Sequence, residues 1–188
     1  TREVERGGDQ QSPEPAPAGD RVVFVSDRGG PAQMWLAGRS GGMASPLTDD
    51  PGSAVFLPHW SADGRRIVAV RYRAADGRRL VEIDLATRRL RVLSRAGENV
   101  MFGTFGVDPD TFVLAIGTSG HDNRLVLLEQ PATSRERRVV LANGVAWAEI
   151  DASTRSVYYT MPGRGLFRRS LGDGDAQCRH LQTGEPDP

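Results

Sequence analysis

The chain contains no lysine: its 24 basic residues are all arginine, set against 24 acidic residues, so the formal charge is zero. A GC-rich bacterial coding sequence explains that bias more simply than any site does. With the charges balanced, no global field draws the chain to nucleic acid or to an anionic membrane. Cysteine is nearly absent too. Cys178 stands alone, which excludes an intrachain disulfide and leaves the redox compartment open. Apolar runs are short, far below the ~20 residues that a membrane helix needs. No leader-like segment is present, and the first residue is Thr1 rather than Met, so the chain reads as a portion of something longer. Amphipathic helical periodicity is missing as well.

What is present is a repeat. The apolar tetrads Val22-Val23-Phe24-Val25, Ile67-Val68-Ala69-Val70, Phe112-Val113-Leu114-Ala115 and Val157-Tyr158-Tyr159-Thr160 begin 45 residues apart. A period of that length, with several short strands per unit, marks β-propeller blades. A turn of Gly, Pro, Asp, Ser or Thr precedes each tetrad. The clearest example is Pro58-His59-Trp60-Ser61-Ala62-Asp63-Gly64, which aligns at the same 45-residue offset with Pro13-Glu14-Pro15-Ala16-Pro17-Ala18-Gly19. Such residues tolerate turn dihedrals or hydrogen-bond their own backbone. The fold class expected is therefore all-β: four blade-like, four-stranded antiparallel units of about 45 residues, forming an arc of a larger propeller.

The units run over residues 11–55, 56–100, 101–145 and 146–188. Strands are expected near 21–26, 32–37 and 43–48 in the first, and near 56–60, 66–73, 79–84 and 89–94 in the second. The third offers 101–105, 111–117, 123–129 and 136–141, and the fourth 145–150, 155–161, 165–170 and 177–182. Second strands are continuous apolar runs, as befits strands covered on both faces. The last strands carry Arg88, Arg89, Arg91, Arg135, Arg137 and Arg138, suited to an edge that meets water. Residues 1–19, with Pro13, Pro15 and Pro17, read as a Pro-rich linker or a degenerate first strand, and 20–188 as the blades.

Residues 20–73 resemble the TolB-type, WD-like propeller repeat. The resemblance lies in Val22-Val23-Phe24-Val25-Ser26-Asp27-Arg28-Gly29-Gly30, then Gln33-Met34-Trp35-Leu36, Gly41-Gly42 and Pro46-Leu47-Thr48. Pro58-His59-Trp60-Ser61-Ala62-Asp63-Gly64 opens the next repeat, with Ala62 where the family has proline. The resemblance implies a structural role for Ser26, Asp27, Arg28, Gly30, Trp60, Asp63 and Gly64. The later units keep the spacing and depart from the motif residues.

The family implies several settings. TolB is a periplasmic protein that docks a lipoprotein on its propeller. Similar repeats gate the active site of prolyl-oligopeptidase-type serine peptidases. Others form the outward-facing sensor of membrane-anchored, winged-helix (CadC-like) bacterial transcriptional regulators, and the Pro-rich stretch 11–19 would suit a tether to an upstream membrane segment. The expectation is a non-enzymatic binding or sensing domain, periplasmic, that recognises a protein partner or small ligand and does not itself bind nucleic acid. The alternative is the substrate-gating propeller of a peptidase whose catalytic domain lies outside this segment.

Catalytic and metal signals are thin, and no cofactor is expected. Gly38-Arg39-Ser40-Gly41-Gly42 fits the spelling of a nucleophile elbow but falls where the repeat places a turn, with no helix to follow. Asp173-Gly174-Asp175 lacks the later glycine and glutamate of a calcium loop. His59, His121 and His180 sit in separate units at unlike positions, which argues against a metal triad. Cys178 reads as a small buried hydrophobe. Binding residues are instead expected in the loops that join second to third strands, about 27–31, 73–78, 117–123 and 161–165. These hold Arg28, Arg73, Arg78, His121, Asp122, Arg124 and Arg164. Arginine forks and planes favour recognition surfaces. An incomplete arc would also leave end blades uncovered, so self-association through them is expected.

Overall fold

The computed structural model describes residues 9–118, 122–171 and 178–181, the last four as a strand without side chains. His121, Asp173, Gly174, Asp175, and the side chains of Cys178 and His180 therefore lie outside the described residues. So do residues 1–8 of the proline-rich stretch.

Among the described residues, sixteen strands form four sheets, each a four-stranded antiparallel meander in chain order. The first sheet holds β1 (Gln10–Pro15), β2 (Arg21–Ser26), β3 (Gln33–Gly38) and β4 (Ser45–Pro46). The second holds β5 (Ala54–Trp60), β6 (Arg66–Arg73), β7 (Gly77–Asp84) and β8 (Leu90–Val92). The third holds β9 (Val100–Phe105), β10 (Thr111–Ile116), β11 (Asn123–Glu129) and β12 (Arg137–Val145). The fourth holds β13 (Trp147–Asp151), β14 (Ser156–Met161), β15 (Gly165–Ser170) and β16 (Cys178–Leu181). No helix occurs among the described residues. This is the blade architecture of a β-propeller. The chain divides into two compact units, Thr1–Gly103 and Thr104–Pro188.

In the first unit the two sheets pack face to face. Val23, Met34 and Leu47 of one meet Val55, Trp60, Ile67, Ala69, Val81 and Ile83 of the other, all buried. Val68 and Val70, on the opposite face of β6, are buried as well, so the apolar run is covered on both sides. Each side chain of that size removed from water contributes roughly 1.5–3 kcal/mol.

The proline-rich stretch is where the structure adds most to the sequence. β1 pairs with β2 through Gln10↔Ser26, Gln11↔Val25, Glu14↔Val23 and Pro15↔Val22. A bulge between Gln11 and Glu14 takes Ser12 (φ 49°) and Pro13 out of register, so the proline's missing N–H interrupts no regular pair. Glu14 then reaches the second sheet: its Oε1 accepts from the Trp60 amide at 3.0 Å, and its carbonyl from Trp60 Nε1 at 2.9 Å.

The turn into each second strand repeats closely. In the first sheet the Ala16 amide donates to the Arg21 carbonyl and Gly19 has φ 68°. In the second, the Ser61 amide donates to the Arg66 carbonyl and Gly64 has φ 68°. Ser61 Oγ also donates to Asp63 Oδ1 at 2.6 Å, which fixes the Ser-x-Asp-Gly turn. The third and fourth sheets place Asp110 (φ 55°) and Arg155 (φ 49°) in the left-handed region instead, which explains their loss of motif residues without loss of spacing.

The second unit keeps the pattern. Phe112, Val113, Leu114 and Ala115 in β10 and Val157 in β14 are fully buried, and Tyr159 of β14 nearly so. Asp108 and Arg155, in equivalent turns of the two sheets, form a two-pronged ion pair at 3.0 and 2.6 Å. β12 extends to Val145, past the expected 136–141, with two register shifts against β11. β4 shrinks to two residues because Pro46 cannot donate, and both Leu47 and Thr48 amides turn to the Met34 carbonyl.

Candidate functional site

The β2–β3 turn and the β4–β5 connection lie at the same end of the first sheet, and the repeat motif builds what is between them. Ser26 Oγ accepts from Arg28 Nε at 3.2 Å, and the Gly30 amide closes the turn onto the Asp27 carbonyl at 2.9 Å. The Arg28 guanidinium thereby lies over the Trp35 ring, 4.4 Å from its centroid, and 5.5 Å from that of Phe24. Phe24 and Trp35 are cross-strand partners. The arginine side chain is held on its own blade by cation–π contact.

Alternation along β3 sends Met34 into the core and puts Gln33 and Trp35 together on the other face. Gln33 is only 8% exposed. Its Nε2 donates to the carbonyls of Asp50 at 3.0 Å and Ser53 at 2.8 Å, and so ties the β4–β5 connection to β3. Two carbonyl partners fix the amide's orientation, since only the NH2 end can serve both. The Asp50 carboxylate is held by the Gly52 amide at 3.0 Å and by an ion pair with Arg73. The Arg73 guanidinium, then the Gly52 amide, hold the Asp50 carboxyl below the usual aspartate range, and the same pair raises Arg73.

These residues enclose a cleft of about 190 Å³ lined by Gly29, Pro31, Gln33, Trp35, Pro46, Thr48, Asp49, Asp50 and Pro51. Three prolines and an indole form its apolar wall, and an amide, a hydroxyl and two carboxylates its polar part. The lining thus combines apolar walls with a few polar groups. Among the described residues no three His, Cys, Asp or Glu side chains gather as a metal site requires. Gly38-Arg39-Ser40-Gly41-Gly42 forms the turn from β3 to β4, closed by the Gly41 amide on the Gly38 carbonyl at 3.1 Å, with Gly41 and Gly42 at φ 84° and 124°.

Of the residues expected to bind, Arg28 and Arg73 are brought to this cleft, one stacked on its tryptophan and the other paired with its Asp50. Arg78 lies in β7 and turns to Met101 Sδ at 3.7 Å. Asp122, Arg124 and Arg164 are exposed in the second unit. Gln33 and Trp35 belong to the repeat motif, but neither they nor Asp49 and Asp50 are among the residues that the sequence assigns to binding. Their signals are faint: two polar-capable positions spaced by two along a strand, and an Asp-Asp-Pro that follows Pro-Leu-Thr.

No protein-family model matches the chain, and no curated protein does. Solved structures do match. TolB from Acinetobacter baumannii is 16% identical with a TM-score of 0.67, over 91% of this chain and 43% of its own. A putative TolB from Agrobacterium tumefaciens is 13% identical with a TM-score of 0.70, over 92% of this chain and 66% of its own. A Mycobacterium tuberculosis puromycin-hydrolyzing peptidase is 15% identical with a TM-score of 0.71, over 94% of this chain and 29% of its own. The chain thus spans less than two thirds of each of these proteins. At such identities the likeness concerns fold: this chain has the blades of a TolB-like β-propeller.

Proposed function

We propose that the chain is a non-enzymatic recognition module that takes a protein partner or ligand on the loop end of its blades. The observation that carries this reading is the Trp35–Gln33 cleft, where the repeat motif itself positions Arg28, Trp35 and Asp50 around a concave, mixed-polarity surface. The setting we favour is the periplasmic sensor portion of a membrane-anchored bacterial transcriptional regulator. It is supported by the TolB-like fold; the prolines Pro13, Pro15 and Pro17 belong to the first blade and its first turn and supply no separate tether. A second reading is the substrate-gating propeller of a serine peptidase. It is favoured by the match of nearly the whole chain to part of a peptidase.

The parent reading frame separates the two settings. A membrane segment and winged helix upstream support the sensor, and an α/β-hydrolase domain downstream supports the peptidase. The isolated chain is expected to hydrolyse neither peptides nor esters. Turnover that disappears in Ser40→Ala would overturn the non-enzymatic reading.

A further inference from the structure

The chain has three asparagines, Asn99, Asn123 and Asn143, and their side-chain amides are held differently. Asn123 is 1% exposed, and its Nδ2 donates to the Val145 carbonyl at 2.9 Å. Asn99 Nδ2 donates to Met101 Sδ at 3.7 Å. Asn143 is exposed, and among the described residues its side chain has no hydrogen-bond partner. The residues that follow differ as well. Val100 and Arg124 come after the first two, whereas Gly144 comes after Asn143. β12 bulges at this dipeptide. Ala142 pairs with Leu125 and Val145 with Asn123, so Asn143 and Gly144 together oppose Arg124. Gly144 has φ 75°, a conformation that glycine adopts without steric cost. An exposed, unbonded amide thus precedes a residue that lacks a Cβ, at a point where β12 leaves the regular ladder.

We propose that Asn143 is a site of spontaneous deamidation, with water as the co-reactant, and that the carboxylate it forms stands opposite Arg124. The backbone nitrogen of Gly144, having lost its proton to solvent base, attacks Asn143 Cγ. The Cγ–Nδ2 bond breaks, ammonia leaves with a proton taken from water, and a five-membered cyclic imide remains. Water then opens the imide. Attack at Cγ leaves an aspartate, and attack at the backbone carbonyl leaves an isoaspartate, whose main chain runs through Cγ. The net change is one water consumed and one ammonia released. Local structure favours the step. Glycine puts no Cβ beside the attacking nitrogen, whereas Val100 is branched at that carbon. No bond to a described residue holds the Asn143 amide away from its own backbone. The product is accommodated too. Neither bulge residue has a pairing partner of its own, so the extra main-chain carbon of isoaspartate enters where the ladder is already out of register. A formally neutral chain thereby gains one negative charge opposite Arg124, a residue that the sequence assigns to binding. This inference is independent of the recognition reading and of the cleft.

The test is a time course of the purified chain at neutral and at mildly alkaline pH, read by peptide mapping after trypsin, which cleaves after arginine. The peptide of residues 139–155 carries Asn143 and no other asparagine, and that of residues 96–124 carries the other two. Digestion is kept short and mildly acidic, and an unincubated sample sets the baseline. The 139–155 peptide is expected to convert progressively into two products, each heavier by the difference between an acid and an amide. Both should take up one oxygen from isotopically heavy water, and one should be a substrate for an isoaspartate methyltransferase. Conversion should quicken with pH, because the attacking species is the deprotonated backbone amide. The 96–124 peptide should stay unchanged, and circular dichroism should show the fold intact throughout. Asn143→Gln keeps an exposed amide but must close a larger ring, so it should abolish the conversion. A 139–155 peptide that stays unconverted in the folded chain would overturn the inference, even if it converts in urea. Equal conversion of the 96–124 peptide, or a conversion that persists in Asn143→Gln, would overturn it as well.

Discussion

Glu14 and His59 occupy the same position of successive repeats, 45 residues apart, and their side chains meet, Glu14 Oε2 to His59 Nδ1, at 3.1 Å. The other Glu14 oxygen accepts from the Trp60 amide. One carboxylate on a proline-rich strand therefore ties the first sheet to the second. Glu14→Ala would leave the Trp60 amide without its acceptor and should cost about 1–3 kcal/mol in urea unfolding. His59→Ala removes only a partly exposed pair and should cost about 0–1 kcal/mol. Equal losses would show that the His59 contact, not the amide bond, carries the tie.

Glu82 offers a second test of the same unit. It is 6% exposed and lies between Arg66 at 2.9 Å and Arg91 at 2.7 Å. Glu82→Ala removes the buried carboxylate that both guanidinium groups share, and a loss of about 1–3 kcal/mol is expected. Glu82→Gln should recover part of it. A neutral Glu82→Ala would mean that the shared carboxylate adds nothing to what the two arginines already have.

The φ of 68° at Gly64 predicts a backbone effect without a steric one, since an added Cβ would meet only Pro17 Cδ at 3.8 Å. Gly64→Ala should cost about 1–2 kcal/mol, and Gly64→Asn less, because asparagine tolerates the left-handed region. Thermal melts of the pair check the order. If alanine and asparagine cost the same, something other than φ governs the turn.

Acid should weaken the second unit through Asp151. The hydroxyls of Ser153 and Thr154, helped by their amides, hold its carboxyl at about 2, below its ordinary 3.8. A depressed folded value means stabilisation that is complete above the ordinary pKa and lost as pH falls through the folded one. Asp151→Asn should therefore be less stable than the parent at neutral pH. The gap should close between about pH 4 and about pH 2. A gap that stays constant with pH would contradict it.

The blades were legible in the sequence because burial on both faces of each second strand forces a continuous apolar run, and the period repeats it. β1 was harder to see. A bulge let Pro13 sit within a strand that composition alone would assign to a linker. Arg28 and Arg73 could be placed at the loop end of the blades, where the cleft lies, from loop position. Gln33 and Asp50 could not, because their importance lies in which atoms bond once the β4–β5 connection folds over β3. Residue type does not encode that.

Recognition at the cleft is tested most directly by photo-crosslinking in the parent protein, in its own cell. Benzoylphenylalanine at Pro31 lies in the cleft, whereas at Leu90 it lies on the exposed edge strand of the second sheet. One discrete partner adduct is expected from Pro31, none from Leu90, and the Pro31 adduct should vanish when Asp49→Arg places a bulky charge at the cleft. An adduct from Leu90 alone, or one from Pro31 that survives Asp49→Arg, would contradict the account.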